Sequence, residues 1–149
     1  MHRSIDRVDL PPDHPRMRFL TALAVAAALV LGTSAPAHAM SYSCDVTYDA
    51  TNWTGGFVTS ITIENTGTST FSPWILQIVF AGNETMSSGW TATWTQTPPS
   101  LQAVNPSWAP SIAPGTTSAP IGFVATHTGA YVNPTGITLN GVPCTVTYI

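Results

Sequence analysis

From Cys44 onward, apolar and polar residues alternate along short segments. In Cys44–Asp49 the even-numbered residues are apolar and the odd-numbered ones polar, a period of two that predicts a β-strand with one buried face. Similar runs rich in Thr, Val, Ile and aromatic residues cover residues 57–64, 74–80, 85–95, 101–104, 118–126, 137–140 and 144–148. Turn sequences such as Asn140-Gly141 separate them. The pattern predicts an all-β protein, an antiparallel β-sandwich; a disulfide between the first and last strands would bring them side by side or nearly so.

The segment 17–39 has a different pattern. A short positive start precedes an apolar stretch from Phe19 to Leu31, and small residues follow up to Ala39. This arrangement predicts a secretory signal peptide, cleaved after Ala39 or Ala37. The apolar stretch is too short to span a bilayer, so we expect a secreted, extracellular protein.

Residues 1–16 are polar and lack apolar periodicity. We interpret them as a doubtful N-terminal extension and expect translation to start at Met17; a long n-region of the signal peptide is the alternative. The remaining segment, 40–149, suits a single domain.

Charge restricts the partners of that domain. All four arginines precede residue 40, and the chain has no lysine. Four acidic residues remain after residue 40, namely Asp45, Asp49, Glu64 and Glu84. A surface without basic side chains cannot neutralise phosphates, which excludes nucleic acid and anionic membranes as partners. An uncharged sugar polymer fits such a surface better.

The two cysteines, Cys44 and Cys144, lie near the ends of the predicted domain. In an exported protein an isolated pair predicts a disulfide, although two free buried thiols are the alternative. On the chain-entropy model, closing a loop of this length stabilises a protein by roughly 4–5 kcal/mol.

The five tryptophans divide by context. Trp74 opens an apolar strand and is expected in the core, whereas Trp53, Trp90 and Trp108 stand in or beside polar turns. Exposed large aromatics mark an interaction site, and a flat indole matches the weakly hydrated face of a glucose ring. Each could instead fold over an edge of the core. The period of two places Trp94 on the same face as Trp90, either as a fourth platform or, after a bulge, in the core.

These residues belong to a longer series of matching elements. From Cys44 to Cys144 the chain resembles the family 2 carbohydrate-binding modules, the bacterial cellulose-binding type. The matching elements are Cys44–Tyr48, Trp53–Phe57, Ile63–Gly67, Trp74, Trp90, Asn105-x-x-Trp108, Ile112–Gly115, Gly122-Phe123, Thr128-Gly129 and Leu139–Cys144. So many elements in one order make the match specific.

The resemblance implies a jelly-roll-like or immunoglobulin-like sandwich with a flat face formed by Trp53, Trp90 and Trp108. It also implies that Trp74 is structural and that the two cysteines are bonded. Gly56, beside the first tryptophan, is typical of the cellulose-directed branch, because a small residue there lets the ring lie flat. We therefore expect a monomeric binder of crystalline cellulose, with no cofactor.

Other candidate residues near the face are less clearly defined. Asn52 and Ser88 are candidate polar contacts to the sugar. Ala109 replaces the asparagine that is usual after the third tryptophan, which removes a hydrogen-bonding group. Tyr131 could widen the aromatic strip or cover the end of a loop.

The sequence argues against catalysis. A glycoside hydrolase needs two convergent carboxylates, and we interpret the four acids as solvated surface residues without such a pair. A copper monooxygenase would need His38 at a new N-terminus together with His127, the one other histidine after processing. The better-supported alternative is a module that binds chitin or a host glycan in the manner of an adhesin. Any hydrolase activity associated with the chain would then belong to a separate catalytic unit.

Overall fold

Two five-stranded β-sheets pack face to face in the computed structural model, which describes residues 37–149. The strands are β1 (Cys44–Trp53), β2 (Gly56–Asn65), β3 (Ile75–Val79), β4 (Thr85–Trp90), β5 (Thr93–Thr97), β6 (Ser100–Val104), β7 (Ile121–Thr126), β8 (Gly136–Leu139), β9 (Val142–Pro143) and β10 (Thr145–Tyr148). The predicted extension 1–16 and the part of the predicted signal peptide up to residue 36 lie outside the described residues. Within residues 37–149, no helix has the length and apolar character of a membrane span.

The first sheet has the strand order β10-β1-β2-β7-β4, and the second has the order β5-β6-β3-β8-β9. The long strands β1 and β2 form a hairpin in register from Cys44 opposite Asn65 to Trp53 opposite Gly56. The last strand, β10, pairs with β1 in parallel, whereas every other pairing between the described strands is antiparallel. The predicted sandwich, with its first and last strands adjacent, is confirmed.

The core lies between the sheets and follows the predicted alternation. Val46 and Tyr48 of β1 and Phe57, Ile61 and Ile63 of β2 are fully buried. Aromatic rings meet edge to face at the centre, where the ring centroids of Phe57 and Phe123 lie 5.7 Å apart. Trp74 is 2% exposed, which confirms its predicted place in the core. It lies just before β3 rather than within a strand.

The disulfide joins the start of the first strand to the residue directly before the last strand. Cys44 opens β1 and Cys144 lies directly before β10, and the two sulfurs are bonded across 100 residues. The bond therefore ties together the two strands that form the only parallel pair between the described strands. The predicted bond is confirmed.

The prediction of one continuous run over residues 85–95 is wrong. The run divides into β4 of the first sheet and β5 of the second, because the chain reverses at Thr91. The backbone N–H of Ala92 donates to the carbonyl of Trp90 at 2.8 Å, and Thr91 has a φ of 69°. The turn breaks the period of two, so Trp94 does not share a face with Trp90. Likewise β7 begins at Ile121 instead of residue 118, directly after Pro120, which has no N–H for a strand ladder.

Candidate functional site

Two of the exposed tryptophans lie on the outer surface of the first sheet, which we call the aromatic face. Trp53 ends β1 opposite Gly56, and Trp90 ends β4 opposite Gly122. Gly122 alternates with the buried residues Ile121 and Phe123 of β7, so its partner Trp90 points away from the core. Trp53 is 50% exposed and Trp90 is 40% exposed.

Each of these rings lies on a glycine of the neighbouring strand. A Cβ atom built at Gly122 would lie 2.1 Å from Cζ2 of Trp90, and one built at Gly56 would lie 3.0 Å from Cε2 and Cζ2 of Trp53. No side chain other than hydrogen fits under the first ring, and the second leaves little more room. The glycines therefore allow both indoles to lie close against the backbone of the sheet.

The two tryptophans are offset along the strand direction. The Trp90 row of the sheet runs through Gly122, Ser60 and Asp49, and Asp49 precedes Trp53 on β1 by four residues. At about 3.3 Å per residue, the two rows are roughly 13 Å apart. Between them lies a row formed by Thr51, Val58, Val124 and Ser88. The aromatic face therefore presents two indoles separated by hydroxyl and aliphatic groups.

Trp108 lies in the loop that connects β6 with β7 and is 67% exposed. The N–H of Ala109 donates to the carbonyl of Pro106 at 3.1 Å, forming a tight turn around it. Trp108 and Thr91, the residue after Trp90, line the same shallow cavity. The third tryptophan is thus near the Trp90 end of the aromatic face.

The structure separates the two candidate polar contacts. Ser88 belongs to the middle row of the aromatic face. Asn52 pairs with Phe57, whose ring is buried, so the register directs Asn52 to the other side of the sheet from Trp53.

The role of Gly122 beneath Trp90 was not predicted from the sequence. An isolated glycine in a strand pattern is a signal that another group approaches the backbone closely, and this signal could have identified it.

Trp94 and Tyr131 both pack against the core instead of adding to the aromatic face. The ring of Trp94 is partly buried, with its centroid 5.1 Å from that of Phe123. The ring of Tyr131 is also partly buried and lies 4.9 Å from that of Phe57. Burial raises the pKa of the Tyr131 phenol. Of the alternatives left open, Trp94 packs against the core, and Tyr131 packs on Phe57 instead of widening the aromatic strip.

One of the four acids departs from the prediction. Glu84 is not solvated: it is 5% exposed, and its Oε2 accepts the N–H of Gly82 at 3.0 Å because a short turn folds the side chain back. Asp45 and Glu64 stand directly opposite each other in the register of β1 and β2, an adjacency that the sequence pattern did not predict. Both are exposed on the outer surface of the first sheet, as expected for solvated surface acids.

The two histidines of the copper hypothesis lie at opposite ends of β2. His38 adjoins Ala39, whose carbonyl accepts the hydroxyl of Thr68, beyond the end of β2. The backbone of His127 donates to Gly55, before the start of the strand. A ten-residue strand spans roughly 33 Å, so the two rings cannot share a metal ion. Within the described part of the chain, no group of three or more His, Cys, Asp or Glu side chains could hold one.

Comparison with protein families gives one family model over residues 44–144, described as a cellulose binding domain. Among curated relatives, Exoglucanase B of Cellulomonas fimi is 41% identical over 122 residues, which are 82% of this chain and 11% of the relative. Exoglucanase A of the same organism is 40% identical over 72% of this chain and 12% of its own length. The chain therefore spans about a tenth of the length of these relatives.

Among solved structures, the chain is similar to the chitin-binding domain of Chi18aC from Streptomyces coelicolor. The two are 33% identical with a TM-score of 0.55, over 68% of this chain and 94% of that domain. The similarity thus covers nearly the whole of a compact binding domain, in contrast to the small share of the exoglucanases.

Proposed function

The chain belongs to the cellulose-binding-domain family, the family 2 carbohydrate-binding modules, and we propose on that premise that it is a non-catalytic binder of insoluble polysaccharide. Its preferred ligand is crystalline cellulose, and its contacts are Trp53, Trp90 and Trp108. The observation that supports this function best is the pair of indoles that lie exposed on glycines of a flat sheet.

The physical basis is stacking. An indole and the C–H face of a glucose ring are both weakly hydrated, so bringing them together releases water without requiring charge. The three indoles are preformed on two strands and on a hydrogen-bonded turn between β6 and β7, so binding immobilises few flexible side chains. Ser88 and Thr51 supply hydroxyls between the rings, and Asp49 is the charged group closest to Trp90 in the register.

Two observations favour cellulose over chitin as the ligand. Two relatives at about 40% identity are exoglucanases, and Gly56 lets the ring of Trp53 lie close against the sheet, which suits contact with a planar crystal surface. Chitin is the second candidate, because a chitin-binding domain is similar to this chain at 33% identity over nearly its full length. Secretion and a monomeric state are parts of the same proposal.

Catalysis is not part of the proposed function. Asp45 and Glu64 are adjacent but exposed on an open surface, where no substrate bond would be enclosed between them. The exoglucanase relatives are about nine times longer than the matched region. We propose that any hydrolysis near this module is performed by a separate catalytic unit.

A depletion assay tests the proposal. The domain is mixed with crystalline cellulose, amorphous cellulose, chitin and xylan, and the unbound fraction is measured. We expect retention on crystalline cellulose that changes little with salt, since no ion pair is involved. Trp53→Ala, Trp90→Ala and Trp108→Ala should each weaken it by roughly tenfold or more, as truncation of central aromatics does.

The matched control is Gln102→Ala on the outer surface of the second sheet, which should bind like the parent. Parent-like binding by all three tryptophan variants would overturn the assignment of the face. Stronger retention on chitin than on crystalline cellulose would overturn the preferred ligand and favour the second candidate.

A further inference from the structure

The two inner tryptophans hydrogen-bond to the backbone segments that carry two of the outer ones. The indole Nε1–H of Trp94 donates to the carbonyl of Trp90 at 3.2 Å. The indole Nε1–H of Trp74 donates to the carbonyl of Ala109, the residue after Trp108, at 3.2 Å. We propose that Trp94 and Trp74 are positioning residues that hold Trp90 and Trp108 in the geometry required for binding, an inference that rests on the proposed function.

The segment around Trp90 needs such support. The N–H of Ala92 closes a three-residue turn on the Trp90 carbonyl, and its central residue, Thr91, has a φ of 69°. A turn of this kind is rare and strained, and a β-branched residue in that region persists only when its surroundings determine it. The Trp94 N–H gives the same carbonyl a second donor, which stabilises the turn.

The position of Trp94 is itself determined by packing. A Cβ atom at Gly89 would lie 2.4 Å from Cδ1 of Trp94, so this glycine makes the room for the ring. On its other side the ring contacts Phe123 of the core. Trp94 therefore connects the rigid centre of the sandwich with the backbone of Trp90, and Gly122 supports the ring of Trp90 from below.

The Trp108 loop is held in an analogous way. Trp74 is buried in the core and its indole reaches Ala109. The backbone N–H of Trp74 donates to Oδ1 of Asn105 at 3.1 Å, and the backbone N–H of Asn105 donates to the Trp74 carbonyl at 3.1 Å. Both sides of Trp108 are thus attached to one core residue, although the Trp108 side chain itself is exposed.

A double-mutant cycle separates positioning from general stability. Trp94→Phe and Trp74→Phe keep an aromatic ring and remove the N–H donor together with the five-membered ring that carries it, so the cycle has to separate the lost donor from the lost packing. We expect each to weaken binding to crystalline cellulose by roughly two- to tenfold, the range for one lost hydrogen bond. Trp94→Phe should have no further effect in the Trp90→Ala background but its full effect with Trp108→Ala, and Trp74→Phe should show the reverse.

Each variant is thus the control for the other. Equal losses in all backgrounds would overturn the proposal, because they would mean that the inner tryptophans act through stability alone. If Trp74→Phe does not fold, Asn105→Ala replaces it, since it removes the hydrogen bond at the start of the same loop.

A second readout does not depend on binding. In the free protein, NMR relaxation of the indole N–H groups should show that Trp94→Phe increases the mobility of Trp90 and leaves Trp53 unchanged. An immobile Trp90 in that variant would also overturn the proposal. If Trp53→Ala, Trp90→Ala and Trp108→Ala all bind like the parent, the proposed assignment of the aromatic face has failed, and the relaxation measurement still decides whether the inner tryptophans position the outer ones.

Discussion

The two outer surfaces of the sandwich both carry hydroxyl side chains, but they differ in their aromatic rings and in their acids. The second sheet presents Gln77, Gln102, Thr95 and Thr138 in one row, much as the first presents Thr51 and Ser88 between its indoles. Neither surface has a basic residue. Only the first has tryptophans lying on glycines, and it also has the exposed acids Asp45, Asp49 and Glu64.

This difference indicates what a sugar polymer would recognise. Hydroxyl and amide groups on a flat sheet exchange hydrogen bonds with water for hydrogen bonds with sugar, at little net gain. An indole gains by releasing weakly bound water from both surfaces. The aromatic face should therefore bind and the second face should not, and the glycines under the rings are as important as the rings.

The largest loss of stability and binding is expected when alanine replaces a glycine of the aromatic face, compared with the same substitution on the second face. In Gly122→Ala, the new Cβ would lie 2.1 Å from the Trp90 ring and 2.3 Å from the backbone oxygen of Thr59. Because the backbone at Thr59 cannot move away without disturbing the sheet, we expect the free energy of unfolding to fall by about 1–3 kcal/mol or more. Binding to cellulose should fall to the level of Trp90→Ala.

Gly136→Ala on the second face is the matched control. A Cβ there meets no atom within 4 Å, and alanine in a strand is favoured over glycine by about 0.5–1 kcal/mol. We expect unchanged binding and equal or higher stability, measured by urea denaturation and by depletion. If Gly122→Ala and Gly136→Ala behaved alike, the glycine under Trp90 would have no special role.

A smaller effect is expected at the other glycine of the aromatic face. In Gly56→Ala the Cβ would lie 3.0 Å from the Trp53 ring and from the Ala125 carbonyl, so the ring can tilt to accommodate it. A tilted ring contacts a planar crystal less well than a single flexible chain. We expect weaker binding to crystalline cellulose and nearly parental binding to soluble cello-oligosaccharide, measured by depletion and calorimetry. Equal losses on both ligands would contradict the flat-ring explanation.

Local patterns were sufficient for much of this comparison. The alternation in Cys44–Asp49 predicted which residues of β1 are buried, and turn context separated Trp53 and Trp108 from the buried Trp74. Both inferences succeed because burial of one strand face and exposure of polar turns are local properties.

Tertiary packing determines what the sequence could not predict. The turn Trp90–Ala92 contains neither glycine nor proline, and Trp94 after it packs against Phe123 of a distant strand, a contact that the local pattern does not reveal. Charge alone would place Glu84 in solvent, but a side-chain contact within its own turn buries it. The pairing of Asp45 with Glu64 follows from the hairpin register, and sequence patterns specify register only loosely.

Alkaline pH should separate the stability of the core from binding at the aromatic face. Burial raises the pKa of the Tyr48 phenol well above its usual value of about 10. The folded form keeps this phenol neutral, whereas the unfolded chain ionises it. Its contribution to stability is therefore complete below pH 10 and is lost as the pH rises, by about 1.4 kcal/mol per pH unit.

Urea denaturation between pH 9 and 11 measures this slope, and Tyr48→Phe is the control that should reduce it, leaving the part that burial of the Tyr131 and Tyr148 phenols contributes through their raised pKa. Binding by the protein that remains folded should stay constant over the same range, because Asp49 is the only titratable group in the rows that include Trp90 and Trp53. A parallel decline in affinity would indicate that an ionisable group contributes to the face.

The smallest effect concerns the acids that distinguish the first surface from the second. Asp45 and Glu64 are directly opposed, and like charges in that arrangement are destabilising by about 0.2–1 kcal/mol. Glu64→Gln should therefore raise the free energy of unfolding by that amount at low ionic strength, and the gain should shrink as salt screens the pair. Asp49→Asn is the comparison, since Asp49 faces Ser60 instead of a carboxylate and should gain less. Asp45 and Glu64 lie outside the rows of Trp90 and Trp53, so Glu64→Gln should leave cellulose binding unchanged. A loss of binding would extend the recognised surface along β1 and β2 beyond the Trp90 row.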